Sequence, residues 1–422
     1  MAWPGHRQVH PVNILYIAHR IPYPPNKGDK IRAFHEVRAL ATIADVYLCA
    51  LVDDPDDWQH EAALRELCAH VSLVNLNPRL KKVLALRGLL TGKPMSVEYF
   101  YEKKLQQAVD TVLAERTFDA IVCFSGTSAE YIFQSKEAAV FATAGSIHPR
   151  LIMDFCDVDS LKWKEYAQRA AFPLSLLYCA EGQLLARYER KVAQSCDHAI
   201  LITENEKQLF AATVYDTEKL TVIGNGVDLD YFNPLGQPQE ADVSEEKTPE
   251  LLFVGAMDYH ANVDGVCWFA EAVWPAIVER YPKAVFTIVG RNPTKEVLAL
   301  QRHRNIRVTG GVDDVRPYYQ RATMVVVPLR IARGIQNKVL EAMAMAKPVL
   351  VSRAAFTGLE AVPERDLLIA DSVQDFVTHT VRLLEKPGLR EQLAIESRKC
   401  VQARYAWPRA MTTLLGLVGE KR

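Results

Sequence analysis

Short apolar runs rich in β-branched residues recur along the chain with helical stretches between them: NILYIA at 13, DVYLCAL at 45, VSLVNL at 71, DAIVCF at 119, RLIMDF at 150 and HAILI at 198. That alternation predicts parallel strands joined by crossover helices, an α/β sheet covered on its faces. A second series repeats it: ELLFVG at 250, AVFTIVG at 284, NIRVTG at 305, TMVVVP at 323, PVLVS at 348 and DLLIA at 366. Between the two lies QPQEADVSEEKTPE, residues 237–250, a polar segment with two prolines and little to bury. It reads as a linker between a first domain, residues 1–236, and a second, residues 251–404. The alternative, one continuous sheet, would pair strands across that segment in a chain too long for a single core.

Composition narrows the class. The 422 residues are 49% apolar and 24% charged, with 50 Lys and Arg against 51 Asp and Glu. A net charge of −1 provides no global field toward nucleic acid, so any attraction to an anionic surface must be local. No apolar run suits a signal peptide or a bilayer span, and the expected location is the cytosol. The eight cysteines are scattered without metal-site spacing and read as reduced core residues. A disordered, secreted, collagenous or integral membrane protein is excluded.

Sheets of this kind bind ligands outside the carboxyl ends of their strands. After the first strand the chain reads AHRIPYPPNKGDKIRAFHEV, where a proline-rich turn leads to Gly28 and a helix whose Ile31, Phe34 and Val37 share a face. A glycine at a helix start suits an anion. In the second half, PLRIARGIQNKVLEAMAMAKPV brings Arg330, Arg333, Gly334 and Lys338 to a strand-to-helix loop, a set suited to a diphosphate. Glu341 follows on the same helix, where a carboxylate can accept two hydrogen bonds from a vicinal diol. The competing reading is a solvated surface turn in which Glu341 pairs with Lys338.

The motifs PPNKGDKIR, VIGNGVDLDYFNP (222–234), LLFVGAMDYHANVDGVCWF (251–269), FTIVGRNP (286–293), GGVDDVRPYY (310–319) and GIQNKVLEAMAMAKPVLVS (334–352) occur in an order that resembles the family-four retaining glycosyltransferases. More narrowly, GAMDYHANVDG combined with PLRIARGIQNKVLEAMAMAKPV and DFCDVDSLKW resembles the sugar transferases associated with exopolysaccharide loci of bacteria that carry the PEP-CTERM and exosortase system. The resemblance implies a GT-B fold, two Rossmann-like domains with parallel sheets facing across a cleft. It also implies transfer from a UDP-linked sugar to a glycan or lipid-linked glycan with retention, without a metal and with no cofactor beyond the donor substrate.

Carried over by position, the donor-binding set is Gly28 and Gly255 near the diphosphate, Gly290 and Arg291 near the nucleotide, Gly310 facing the base, with Arg333 and Gly334. Lys338 is implied to bind phosphate. Glu341 matches the second glutamate of the family's E-x7-E motif and is implied to hold ribose. Arg333 stands where the first glutamate would be, and the usual Arg and Lys pair after Gly255 is absent, so Arg330 or Arg333 is expected to supply the missing charge. The expected catalytic set is Asp157, Arg330, Lys338 and Glu341. Asp157 follows a strand in CDVDSLKW and is assigned to the reacting sugar, the alternative being that Asp154, Asp157 and Asp159 cap the next helix.

Residues 79–104 hold seven Lys or Arg against two Glu among leucines and aromatics, a mixture suited to an anionic membrane surface. Trp163, Tyr166, Phe172, Leu176, Leu177 and Tyr178 add to it. Peripheral contact with the inner face of the cytoplasmic membrane is expected, against the alternative of ordinary amphipathic helices packed on the domain. The last helix, 405–422, is expected to complete the first domain, with Trp407 anchoring it. Two rival functions share parts of this pattern: a nucleotide-sugar epimerase of the same fold, and a non-catalytic sugar-binding or scaffold protein. A dinucleotide oxidoreductase is excluded because no GxGxxG follows the first strand.

Overall fold

Each apolar run becomes a strand, and the inner ones, such as Asn13–Ala18, Ala120–Phe124, Val285–Val289 and Met324–Val327, are buried on both faces, as parallel sheets covered by helices require. The computed structural model describes residues 12–25, 27–139, 148–214, 216–235, 248–332 and 334–419. The strands are β1 (Asn13–Ala18), β2 (Asp45–Val52), β3 (His70–Asn75), β4 (Ala120–Phe124), β5 (Arg150–Cys156), β6 (His198–Leu201) and β7 (Leu220–Val222). They form a seven-stranded parallel sheet in the order β3-β2-β1-β4-β5-β6-β7. β8 (Glu250–Val254), β9 (Val285–Val289), β10 (Ile306–Val308), β11 (Met324–Val327), β12 (Val349–Ser352) and β13 (Leu368–Ala370) form a six-stranded parallel sheet, β10-β9-β8-β11-β12-β13. Both are Rossmann-like.

Strand order reverses beside β1 in one sheet and beside β8 in the other. The loops that follow β1 and β4, and those that follow β8 and β11, diverge there and leave a crevice at the carboxyl edge. β7 has no counterpart among the expected strands. It is an edge strand of three residues in which Leu220 alone is buried, and so shows no apolar run.

The chain divides into two units, residues 1–223 with 411–422, and residues 224–410. Residues 224–235, assigned from sequence to the first domain, pack with the second unit. Val227 bridges Ala406 and joins that unit's core, and a Cβ on Gly226 would lie 2.7 Å from Trp407 Cδ2. Trp407 thus packs in the second unit. The boundary falls inside the last helix, Trp407–Gly419, whose Leu417 carbonyl accepts from Arg150 Nη1 at 2.6 Å within the first unit. Most of the expected linker, residues 237–247, lies outside the described residues, and Glu250 already begins β8.

Candidate functional site

The loops after β8, β9 and β10 lie side by side, joined by backbone bonds: Gly255 N–H to Val289 O (2.9 Å), Met257 N–H to Arg291 O (2.9 Å) and Gly290 N–H to Gly310 O (3.1 Å). The amides of Gly255 and Gly290 are therefore occupied, and these glycines serve by being small. A Cβ on Gly290 would stand 1.6 Å from Gly255 O, an impossible contact. Gly310 has a φ of 74° and Gly334 of 61°, both in the left-handed region that favours glycine.

Lys338 and Glu341 stand on the helix Asn337–Ala344, which follows β11 and presses Val339, Leu340 and Met343 into the core. Among the described residues no side chain caps its amino end. The two do not pair with each other, as the surface-turn reading requires. Lys338 Nζ donates to Asn262 Oδ1 (3.1 Å) and Gln336 Oε1 (3.2 Å) and lies 5.6 Å from the centre of the Phe253 ring. Its partners are neutral, and burial pushes the ammonium down to about 8 against the weaker field of Glu341. Glu341 Oε2 accepts from Tyr319 Oη at 3.0 Å. Burial raises the Glu341 carboxyl, while the Tyr319 bond and Lys338 oppose that rise.

Of the arginines, Arg330 is exposed and clamped on Asp264, with Nε to Oδ2 at 2.9 Å and Nη2 to Oδ1. Its hydrogen bond lowers the Asp264 carboxyl. Its charge is thereby offset by a carboxylate, which weakens what it offers a phosphate. Arg291 is exposed and forms no ion pair among the described residues. Arg333 lies outside the described residues.

Gly28 and Asp157 belong to the first unit. Gly28 opens the helix Gly28–Leu40, is exposed, and a Cβ on it would meet nothing within 4 Å. That helix does not bury the face expected from Ile31, Phe34 and Val37 alone. Lys30, Arg32 and Glu36 are buried too, Lys30 on Asp57 at 2.5 Å and Arg32 on Asp154 at 2.6 and 2.8 Å. Glu36 Oε2 accepts from Tyr16 Oη at 2.8 Å, and burial beside Asp154 raises its carboxyl.

Asp154, at the end of β5, is consumed by this network and accepts the Cys156 N–H at 2.7 Å. Cys156 has a φ of 62°, and the strand bulges there. The three aspartates do not cap the helix Asp159–Arg169. Glu206 accepts from Val158 N–H (2.7 Å), and Glu189 from Ser160 N–H (2.9 Å) and Oγ (2.5 Å). Asp157 instead holds Lys162 at 2.7 Å, which Asp159 shares at 3.0 Å. Among the described residues no group of three or more His, Cys, Asp or Glu is placed to hold a metal ion.

Residues 79–104 form short helices, Pro78–Ala85 and Gly88–Thr91, with Leu80, Val83, Leu86, Leu89 and Leu90 exposed, Leu90 at 90%. Of the basic residues, Lys81 pairs with Glu102 and Lys93 with Glu130. Arg79, Lys82, Arg87, Lys103 and Lys104 are exposed without an ion pair among the described residues. Gly88 lets the chain fold back, since a Cβ there would stand 2.6 Å from Lys93 O. Glu181 then binds the Met95 and Ser96 amides at 2.6 and 2.9 Å. That tie holds the basic segment to the helix Leu174–Ser195, near whose start Leu174 and Leu176 are exposed, beside the 79% exposed Phe172. No helix of the described residues is long and apolar enough to cross a membrane.

Residues 248–386, which include Gly255, Gly290, Lys338 and Glu341, match the family of glycosyl transferases group 1. An uncharacterized 44.6 kDa protein in the cps region of Klebsiella pneumoniae is 18% identical over 402 residues, 93% of this chain and 96% of that protein. The lipopolysaccharide core biosynthesis mannosyltransferase LpcC of Rhizobium leguminosarum bv. viciae is 25% identical over 266 residues, 59% of this chain and 73% of its own. HepE of Anabaena, solved in complex with UDP, shares the fold at a TM-score of 0.65 and 12% identity, over 96% of this chain and 99% of that one. The fold is GT-B, and the family match supports a glycosyltransferase.

Proposed function

We propose that this protein is a retaining glycosyltransferase that moves a sugar from a UDP-linked donor to a glycan or lipid-linked glycan acceptor in exopolysaccharide or other surface polysaccharide biosynthesis. The observation that carries the reading is the pair Lys338 and Glu341 on one helix at the β8/β11 crevice. Among the described residues, one is a cation whose hydrogen-bond partners are neutral, the other a carboxylate with one oxygen left for a diol. A nucleoside diphosphate offers the matching groups, two phosphates and a ribose. LpcC, a mannosyltransferase by name, and HepE, solved with UDP and with UDP-glucose, support the same class.

In this reaction the bond from the anomeric carbon to the diphosphate oxygen breaks, an acceptor hydroxyl bonds to that carbon on the same face, and its proton passes to the diphosphate. The chain's task is to orient and to offset charge. Lys338 meets the charge that grows on the leaving diphosphate, aided by the uncapped end of its helix and by Arg291. Glu341 holds the ribose. In the first unit, Gly28 admits the diphosphate and Asp157 contacts the reacting sugar. The exposed apolar and basic surface of residues 79–91 and 172–176 rests on an anionic membrane, bringing the enzyme to a lipid-linked acceptor.

A thermal-shift panel of UDP-, GDP- and ADP-sugars tests the donor, because a ligand of the folded state raises the melting temperature. UDP-sugars are expected to shift it, and the anomeric configuration of the product, read by NMR, to match the donor's. A shift with GDP-sugars alone overturns the UDP assignment, and no shift with any donor overturns the reading.

A further inference from the structure

We infer that Asn262 is a positioning residue for the donor diphosphate: it aims the Lys338 ammonium and, being neutral, leaves that charge uncompensated for the ligand. This rests on the nucleotide-sugar reading above and assigns a role to a residue outside the expected site. Asn262 lies in the first turn of the helix His260–Trp268 and is 4% exposed. Both ends of its amide are used. Nδ2 donates to Ala256 O at 2.9 Å, and Oδ1 accepts from Lys338 Nζ at 3.1 Å. A backbone carbonyl only accepts, so the amide has one orientation and its oxygen must face the lysine.

The three groups are packed against one another. A Cβ on Gly255 would fall 2.8 Å from Asn262 Nδ2 and 3.2 Å from Lys338 Cε. Asn262 therefore joins the loop after β8 to the helix after β11, the two elements at the reversal of strand order. The other group bonded to Lys338, Gln336, is also neutral, and the facing ring of Phe253 carries no net charge. Glu341 is the charged group whose field acts on the lysine, and its bond goes to Tyr319. An aspartate at 262 would have almost the same shape. It would turn a hydrogen bond into an ion pair, cancel the charge offered to phosphate, and lose the donor to Ala256 O.

The full chain and its Asn262→Asp, Asn262→Ala, Asn262→Ser and Lys338→Met variants are titrated with UDP and with inorganic pyrophosphate by calorimetry across about pH 6.5 to 9.5, a window around the lysine's titration. Thermal unfolding selects the variants that fold. Wild-type affinity is expected to weaken as pH rises through about 8, where Lys338 loses its proton. Asn262→Asp is expected to bind at least about tenfold more weakly at pH 7 and to move that break to higher pH. Asn262→Ala and Asn262→Ser, which remove or shorten the acceptor, move it lower. Opposite movement of the break is a readout that a merely structural role does not produce. Loss of binding in Lys338→Met with wild-type behaviour in Asn262→Asp overturns this inference alone. Wild-type affinity in Lys338→Met, or no binding of either probe by the wild type, overturns the nucleotide reading and this inference with it.

Discussion

The hydroxyl of Tyr319, a completely buried side chain, donates a 3.0 Å hydrogen bond to Oε2 of Glu341. The ring is held edge-on by Phe232, centroid to centroid 6.1 Å at 86°. One carboxylate oxygen is thereby fixed from inside the core, and Oε1 takes no hydrogen bond from the described residues.

Tyr319→Phe should leave the fold intact and free that carboxylate to rotate. A hydrogen bond to a charged group contributes about 1.5–3 kcal/mol to the folded state, so the melting temperature is expected to fall by several degrees, and nucleotide affinity to fall as the carboxylate loses its orientation. Calorimetry with UDP checks it. Affinity equal to wild type means that Tyr319 does not orient Glu341 toward the ligand.

The half-buried cation carries a stability cost that a neutral replacement removes. Lys338 titrates near 8 in the fold against 10.5 for the free side chain, so between those values the unfolded chain binds more protons than the native one. The group's contribution to stability therefore rises with pH across that window. Lys338→Met is expected to stabilise the protein at pH 7 by about 1–2 kcal/mol, allowing for its partial exposure, and to erase that slope. Chemical denaturation at pH 7 and pH 10 gives both quantities, and an equally steep slope in the variant contradicts the assignment.

Glu189 predicts an opposite pH response in the first unit. Burial pushes its carboxyl up to about 7 from 4.5, although the Ser160 hydroxyl and amide oppose the rise. Between those values the folded chain holds the proton that the unfolded chain has released, so the contribution falls as pH rises. Glu189→Gln keeps an acceptor for the Ser160 amide and is expected to flatten the dependence of melting temperature on pH between 4.5 and 7. A profile parallel to wild type refutes it.

Two glycines separate packing from ligand approach. Gly290→Ala would place a methyl 1.6 Å from Gly255 O, and is expected to cost several kcal/mol and destabilise the second unit, about as severely as single substitutions do. Gly28→Ala meets nothing within 4 Å and is expected to leave the melting temperature unchanged while weakening UDP-sugar binding. Normal binding in a folded Gly28→Ala variant removes Gly28 from the donor site.

Arg79, Lys82 and Arg87 bear directly on membrane contact. At about 1 kcal/mol for each basic residue near an anionic bilayer, reversing all three to Glu is expected to lower binding to phosphatidylglycerol vesicles about 100-fold or more. Co-sedimentation at low and physiological salt measures it. Equal binding of wild type and variant, or equal binding to neutral phosphatidylcholine vesicles, refutes the electrostatic contact.

Strand positions were legible because each is a local run of apolar, β-branched residues. β7, an edge strand in which Leu220 alone is buried, offered no such run. The helix Gly28–Leu40 shows a harder limit. Its sequence marks an apolar face of Ile31, Phe34 and Val37 and gives no sign of a role for Arg32, yet Arg32 is buried on Asp154, 122 residues later. Lys338 and Glu341 stood out by residue type beside a strand end, whereas Asn262 and Tyr319 carried no such mark. Asn262 meets Lys338 across 76 residues, and Tyr319 meets Glu341 across 22.

The sequence by itself determined two α/β halves, their strands, and a basic and acidic pair on the helix after β11, because periodicity and residue type are properties of neighbouring positions. Only the tertiary structure decided partners: that Lys338 faces an amide and not Glu341, that Arg330 is already held by Asp264, and that Glu189 and Glu206 serve the helix end that the aspartates would have capped in the alternative reading. Those choices depend on burial and distance between strands far apart in the chain, and a desolvated charge takes whichever partner the packing brings within hydrogen-bond reach.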